Sequence, residues 1–185
     1  MIALLFLVLG CSTSIEAPPA ERGEEHYQGK SNAGFTQGLK DGMWTIWHKN
    51  GNKASEGRYQ KGKKEGRWTF WYENGQKMLE GEYLTDKEEG LWYSWYENGN
   101  MESELIYSLG KEDGSCKIWY ESGQLQLEGA NKNGEPEGLA ITWTEDGQKE
   151  TEGQYLNGKR EGVWKLWSAD GRITEKKYTQ GVEQK

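Results

Sequence analysis

Residues able to do covalent, acid–base or metal chemistry are few in this chain and lie far apart. There are two cysteines, Cys11 and Cys116, and two histidines, His26 and His48. A metal centre needs Cys, His or carboxylate ligands at short fixed spacings, and nucleophilic catalysis needs a Ser or Cys with a base in reach. Neither pattern occurs, nor does a glycine-rich phosphate loop. The one recurrent charged feature is a column of acids, Asp41, Glu65, Glu89, Asp113, Glu137 and Glu161, spaced 24 residues apart. Copies lying two strands apart would be separated by about 10 Å, too far to share a calcium ion. Acids at turns commonly accept hydrogen bonds from local backbone N–H groups, and that is their expected role. The expectation is a protein that is not an enzyme, with no catalytic residue, cofactor or metal.

The acids recur because the chain itself recurs. Units begin at Gly38, Gly62, Asp86, Gly110, Gly134 and Gly158, and each reads roughly G-K-x-E-G-x-W-x-x-W-Y-E-N-G-x-x-x-x-E-G-x-Y-x-x. A fixed period of this size marks a repeat array, in which neighbouring units supply the contacts that a globular domain takes from its core. Each unit holds two runs of strand character around a turn dipeptide: Asn50-Gly51, Asn74-Gly75, Asn98-Gly99, Ser122-Gly123, Asp146-Gly147 or Asp170-Gly171. Such dipeptides favour two-residue type I′ hairpins. That turn makes Lys49 face Asn52, Trp44 face Gly57 and Tyr59 face Gly42, so aromatic columns meet glycine columns. A three-residue bulged turn is the alternative, and it would move the second strand by one residue and swap its faces.

The fold class expected is all-β: an elongated, single-sheet antiparallel β-meander of six 24-residue β-hairpin repeats. Phe35, 24 residues before Tyr59, adds an N-terminal half-repeat from about residue 31. The total is roughly 13 strands, near 60 Å long at about 4.8 Å per strand. Alternation puts Trp44, Ile46, His48, Tyr59, Trp68, Phe70, Tyr72, Tyr83 and their equivalents on a packing face. The other face carries one tryptophan per repeat, Trp47, Trp71, Trp95, Trp119, Trp143 and Trp167, beside mostly polar neighbours. It is the candidate interaction surface. In the middle of the array Cys116 and Ala140 replace Trp and Asn131 replaces Tyr, leaving contiguous space that is either repeat decay or a groove. Cys116 there is expected to be a small core residue rather than a disulfide partner. The last strand is one residue short, and Lys176 and Lys177 are expected to guard an exposed edge.

Composition sets limits on partners. The net charge is -7, whereas duplex nucleic acid and anionic lipid surfaces call for a basic stripe. Lys63, Lys87, Lys111 and Lys159 recur, but each is followed two residues later by an acid, as in solvated turns. Aliphatic residues are sparse and all 10 tryptophans lie in the repeats, so apolar burial must come from large rings.

The first residues are different in kind. Residues 2–10 are apolar and too short to span a bilayer, but they suit a secretory h-region. Val8-Leu9-Gly10-Cys11 resembles the bacterial lipobox, which implies a signal peptide over 1–10, lipidation at Cys11 and, with Ser12 following, outer-membrane sorting in a Gram-negative cell. The run lacks the basic n-region of such signals. Residues 11–30 then read as a lipidated N-terminus and polar tether, and 31–185 as the repeat domain.

The G-K-x-E-G-x-W-x-x-W-Y-E-N-G core, in six copies over about residues 31–181, resembles the MORN-variant repeat of bacterial proteins. The resemblance implies an elongated antiparallel meander and no catalytic motif; many such proteins are called antitoxin-like (YwqK-type) or membrane-associated. The function expected is a lipid-anchored, non-catalytic scaffold of the cell envelope, on the periplasmic side if Gram-negative, binding another envelope protein and no nucleic acid. One alternative is a glycan-binding module that stacks sugars on the Trp column. A second is a cytoplasmic antitoxin-like protein.

Overall fold

The computed structural model describes residues 27–30, 35–36 and 38–185; the expectations for residues 1–26, including Cys11 and His26, lie outside them. Every regular element among the described residues is a strand. Fourteen strands follow one another as antiparallel neighbours in a single open sheet, in chain order, and the short segment Glu135–Pro136 pairs beside that path with Leu125–Lys132. The all-β meander expected from the repeats is therefore the fold.

Both ends extend past the expected 13 strands. Tyr27–Lys30, assigned to the tether, is a strand of the sheet and pairs with Gly42–His48. Phe35 does sit in a half-repeat hairpin, facing Lys40, but the two short strands Phe35–Thr36 and Leu39–Lys40 pair with each other outside the large sheet. At the other end Ile173–Thr179 is not the outermost strand. Val182–Gln184 covers its last residues, Lys177 faces Gln184, and the Lys176 ammonium pairs with Glu183 at 2.9 Å.

The turns correct the expected hairpin. At Asn50-Gly51, His48 N–H donates to Asn52 O at 2.8 Å and Gly51 N–H to His48 O at 3.0 Å. The loop is therefore three residues long, Lys49-Asn50-Gly51, with only the glycine at positive φ (90°). Asn50 is there for its side chain: its Oδ1 accepts Asn52 N–H at 2.9 Å, and its Nδ2 reaches Glu73 O of the next repeat at 2.7 Å. Two-residue turns with both residues at positive φ occur instead at the other connection, as at Lys61-Gly62 (50° and 83°) and Thr85-Asp86 (55° and 67°).

Despite the longer loop, the faces are not swapped. A β-bulge at Ala54 takes up the extra residue, so Trp47 faces Lys53 while Ile46 faces Ser55, Trp44 faces Gly57 and Gly42 faces Tyr59. The bulge sends two successive side chains to the packed side: Ala54 and Ser55 are both buried, and in the next repeat Met78 and Leu79 both join the core. The final hairpin confirms the compensation. It lacks one residue, and its register from Trp167–Ile173 to Gly162–Tyr178 runs without a bulge.

A one-layer sheet needs another way to cover its rings. A Cβ added at Gly57, Gly81 or Gly153 would stand 2.1–2.2 Å from the indole of Trp68, Trp92 or Trp164. Each ring thus lies on the bare backbone of the preceding strand, and its Nε1–H donates to a carbonyl there, as Trp68 does to Arg58 O at 3.1 Å. Gly57 has a register partner on each side, Trp44 and Trp68, and the ring that lies over it is that of Trp68, in the following hairpin. Tyrosines fit edge-on between the indoles. From Trp44 through Tyr59, Trp68, Tyr83 and Trp92 to Tyr107, successive centroids are 4.9–6.3 Å apart and nearly perpendicular. Such pairs add about 0.5–1.5 kcal/mol each beyond their area. The series stops at Tyr107 and resumes with Tyr155, Trp164 and Tyr178, so the core divides into two clusters.

Candidate interaction surface

On the opposite face Trp47, Trp71, Trp95, Trp119, Trp143 and Trp167 are all half-buried, and the strand pairing repeats them every second strand. The polar frame around them is ordered. Lys53 Nζ lies 5.6 Å from the Trp71 ring centroid and 2.8 Å from Glu56. Lys77 stands 5.5 Å from Trp95 and 2.9 Å from Glu80, and Lys149 5.5 Å from Trp167 and 2.7 Å from Glu152. Sequence reasoning missed these cells, although Lys-x-x-Glu at 53–56, 77–80 and 149–152 was a legible signal. Burial pushes the Glu80 carboxyl up, but hydrogen bonds from Lys77, Arg67 and Thr69 outweigh it and hold the group below the usual carboxylate range.

Hydrogen bonds between repeats hold this face in line. The hydroxyls of Tyr72, Tyr96 and Tyr120 donate to the carbonyls of Trp95, Trp119 and Trp143 at 2.8, 2.6 and 2.9 Å. His48 takes the same place, with Nε2 2.8 Å from Trp71 O. The acid column does accept backbone N–H groups, but from the turn at the far end of the same 24-residue unit rather than from adjacent residues. Glu65 accepts from Thr85, Glu89 from Leu109, Glu137 from Asn157 and Glu161 from Gln180, at 2.8–3.0 Å. No group of three or more metal-ligating side chains occurs among the described residues. Lys63, Lys87, Lys111 and Lys159 are exposed.

The three candidate groove residues are packed rather than open. Cys116 is 2 % exposed and faces Gly129 in register. It is disulfide-bonded, which corrects its expected role as a plain core residue; the partner lies outside the described residues. Asn131 is 4 % exposed and its amide donates to Glu112, whose carboxyl also accepts from the Tyr107 hydroxyl at 3.3 Å. Burial raises the Glu112 carboxyl above the ordinary carboxylate range despite those two hydrogen bonds. Ala140 packs on the second core cluster beside a cavity of about 10 Å³, at the limit for one water.

An open sheet whose hairpins repeat the same turn, inter-repeat and, at Gly57, Gly81 and Gly153, ring-on-glycine contacts is a repeat protein. The MORN repeat variant model matches residues 40–61, 64–84, 88–108, 112–130 and 136–157, and the chain belongs to that family. No curated protein shows detectable similarity to it.

Proposed function

We propose that this chain is a non-catalytic scaffold that holds a protein partner on its Trp47–Trp167 face and is tethered to a bacterial envelope membrane through Cys11. One observation carries the reading. The indoles that hold the sheet together lie on the packed side, whereas six others stand in line, half-buried, in a frame of charged residues. Large rings in a polar surround are the usual anchors of protein interfaces.

The test is capture of envelope proteins by wild-type chain and by a Trp95→Ser, Trp119→Ser double variant, beside a titration with soluble glycans. Loss of one discrete partner in the variant supports the scaffold. Saturable glycan binding that the variant loses, without a protein partner, favours the glycan reading. Anchoring is tested by metabolic acyl labelling of wild type and Cys11→Ala. With two cysteines in the sequence, thioether acylation at Cys11 excludes the disulfide described at Cys116, so the anchored form is one in which that disulfide is not made. The anchored protein should thus yield one alkylatable thiol, Cys116, after denaturation without reductant. Unlabelled protein that remains in the cytoplasm refutes the anchor and leaves the antitoxin-like reading.

A further inference from the structure

Three times on the tryptophan face the chain builds one cell from its own residues: a lysine over the indole of the following strand, neutralised by the glutamate three residues on. The cells are Lys53–Glu56 at Trp71, Lys77–Glu80 at Trp95 and Lys149–Glu152 at Trp167. In the two central repeats the same positions read Met101–Glu104 before Trp119 and Leu125–Glu128 before Trp143. The glutamates remain and the cations are gone. No cation lies over Trp119 or Trp143 among the described residues, where the cation–ring contacts on this face are those of Lys53, Lys77 and Lys149. Lys117 faces both glutamates in register but reaches Glu128, at 3.7 Å. Among the described residues Glu104 has no ion pair, and it is half-buried on the same face as the half-buried Trp119 indole.

Glu104 faces Tyr93 and Lys117 in register, and exposed aliphatic side chains lie further along the same face. Leu91, 46 % exposed, pairs with Ile106, and Leu139 is 48 % exposed on the far side. A half-buried carboxylate beside an uncovered indole attracts a cation through both charge and ring quadrupole. The apolar rim favours a cation carried on a chain that also brings aliphatic side chains. The net charge of -7 adds attraction at longer range.

Resting on the reading of this face as the partner surface, we propose that the partner inserts a lysine or arginine, flanked by aliphatic residues, between Glu104 and the Trp119 ring. That side chain completes from outside the cell that the chain completes for itself in three other repeats.

The probe is the peptide acetyl-Leu-Arg-Leu-Arg-Leu-amide against its citrulline counterpart, which keeps the shape and loses the charge. Both are titrated into the full chain while the Trp119 indole N–H resonance, assigned with Trp119→Phe, is followed. The arginine peptide should shift that resonance and bind at least about tenfold more tightly than the citrulline peptide. Met101→Lys, which restores the internal cation, and the isosteric Glu104→Gln should each weaken it about tenfold. Should Met101→Lys fold poorly, Glu104→Gln decides alone. Equal affinity for the two peptides, no shift at millimolar peptide, or indifference to Glu104→Gln overturns the proposal. If Trp119→Ser still weakens both peptides equally, the tryptophan face remains the partner surface and only the cation site fails. If Trp119→Ser changes nothing either, both fail.

Discussion

Gly81→Ala tests the packing device on which the sheet depends. The new methyl carbon would stand 2.2 Å from Cδ2 and 2.3 Å from Cε2 of Trp92, whereas carbon atoms at optimal separation are about 3.5–4.0 Å apart. The ring must therefore move by more than about 1 Å, and it has nowhere to go. It is 0 % exposed, with Tyr83 4.9 Å away on one side and Tyr107 6.2 Å away on the other. Displacement spoils both edge-to-face contacts, about 0.5–1.5 kcal/mol each, and strains the Nε1–H bond to Glu82 O, 3.2 Å long. Overpacking adds about 1–3 kcal/mol. The expected loss is about 3–5 kcal/mol, or a fall of roughly 10 °C in Tm if the array melts as one unit. Guanidinium unfolding followed by tryptophan fluorescence measures it, in wild type and in a Trp92→Leu background. With the indole removed, the same methyl should cost less than about 1 kcal/mol. A small loss in wild type, or an equal loss in both backgrounds, would refute the ring-on-glycine account.

Other expectations follow from single contacts. Tyr96→Phe removes the 2.6 Å bond to Trp119 O and should cost about 1–1.5 kcal/mol in urea unfolding, with m unchanged. Glu65→Gln keeps an oxygen acceptor for Thr85 N–H and should cost no more than about 0.5 kcal/mol, whereas Glu65→Ala should cost about 1 kcal/mol. Glu112 has a carboxyl raised by burial, so its neutral form favours folding. That contribution is fully present below its unfolded pKa, about 4.3, and is lost as pH rises through the higher folded value. Relative to wild type, Glu112→Gln should therefore gain stability at pH 8 over pH 4 in paired urea titrations; an equal effect at both would contradict it. Hydrogen exchange should find amides in 112–144, where the aromatic series is broken, opening more readily than those in 64–96. Uniform protection would make the sheet one cooperative unit.

Where local chemistry alone decides, the fold was legible. Six copies in phase dictated a meander, and the glycine opposite each ring dictated which strand residues face each other. The Asn-Gly turns misled because asparagine has a second use. Its side chain caps its own loop and bonds to the next repeat, as Asn74 does to Gln76 N–H and Glu97 O, so it need not sit at positive φ. The true two-residue turns hid behind Lys, Thr, Leu and Asn as first residue, types that announce no turn at Lys61, Thr85 or Leu109. The bulge at Ala54 escaped strict alternation, because one extra residue in the loop and one in the strand cancel. The tryptophan column and the Lys-x-x-Glu spacing could both be read from the sequence, but which indole each lysine covers, on the strand of the following hairpin, emerges only once the register is known.

The most direct test of the account's central claim is photocrosslinking in the cell from one buried-side position and two on the tryptophan face. A benzoylphenylalanine at Trp119 or Leu91 should give the same discrete adduct, and one at Phe70, in the core, should give none. An adduct from Phe70 in folded protein, or from an exposed turn position such as Leu109 while Trp119 and Leu91 stay silent, would contradict the assignment of the partner to the tryptophan face.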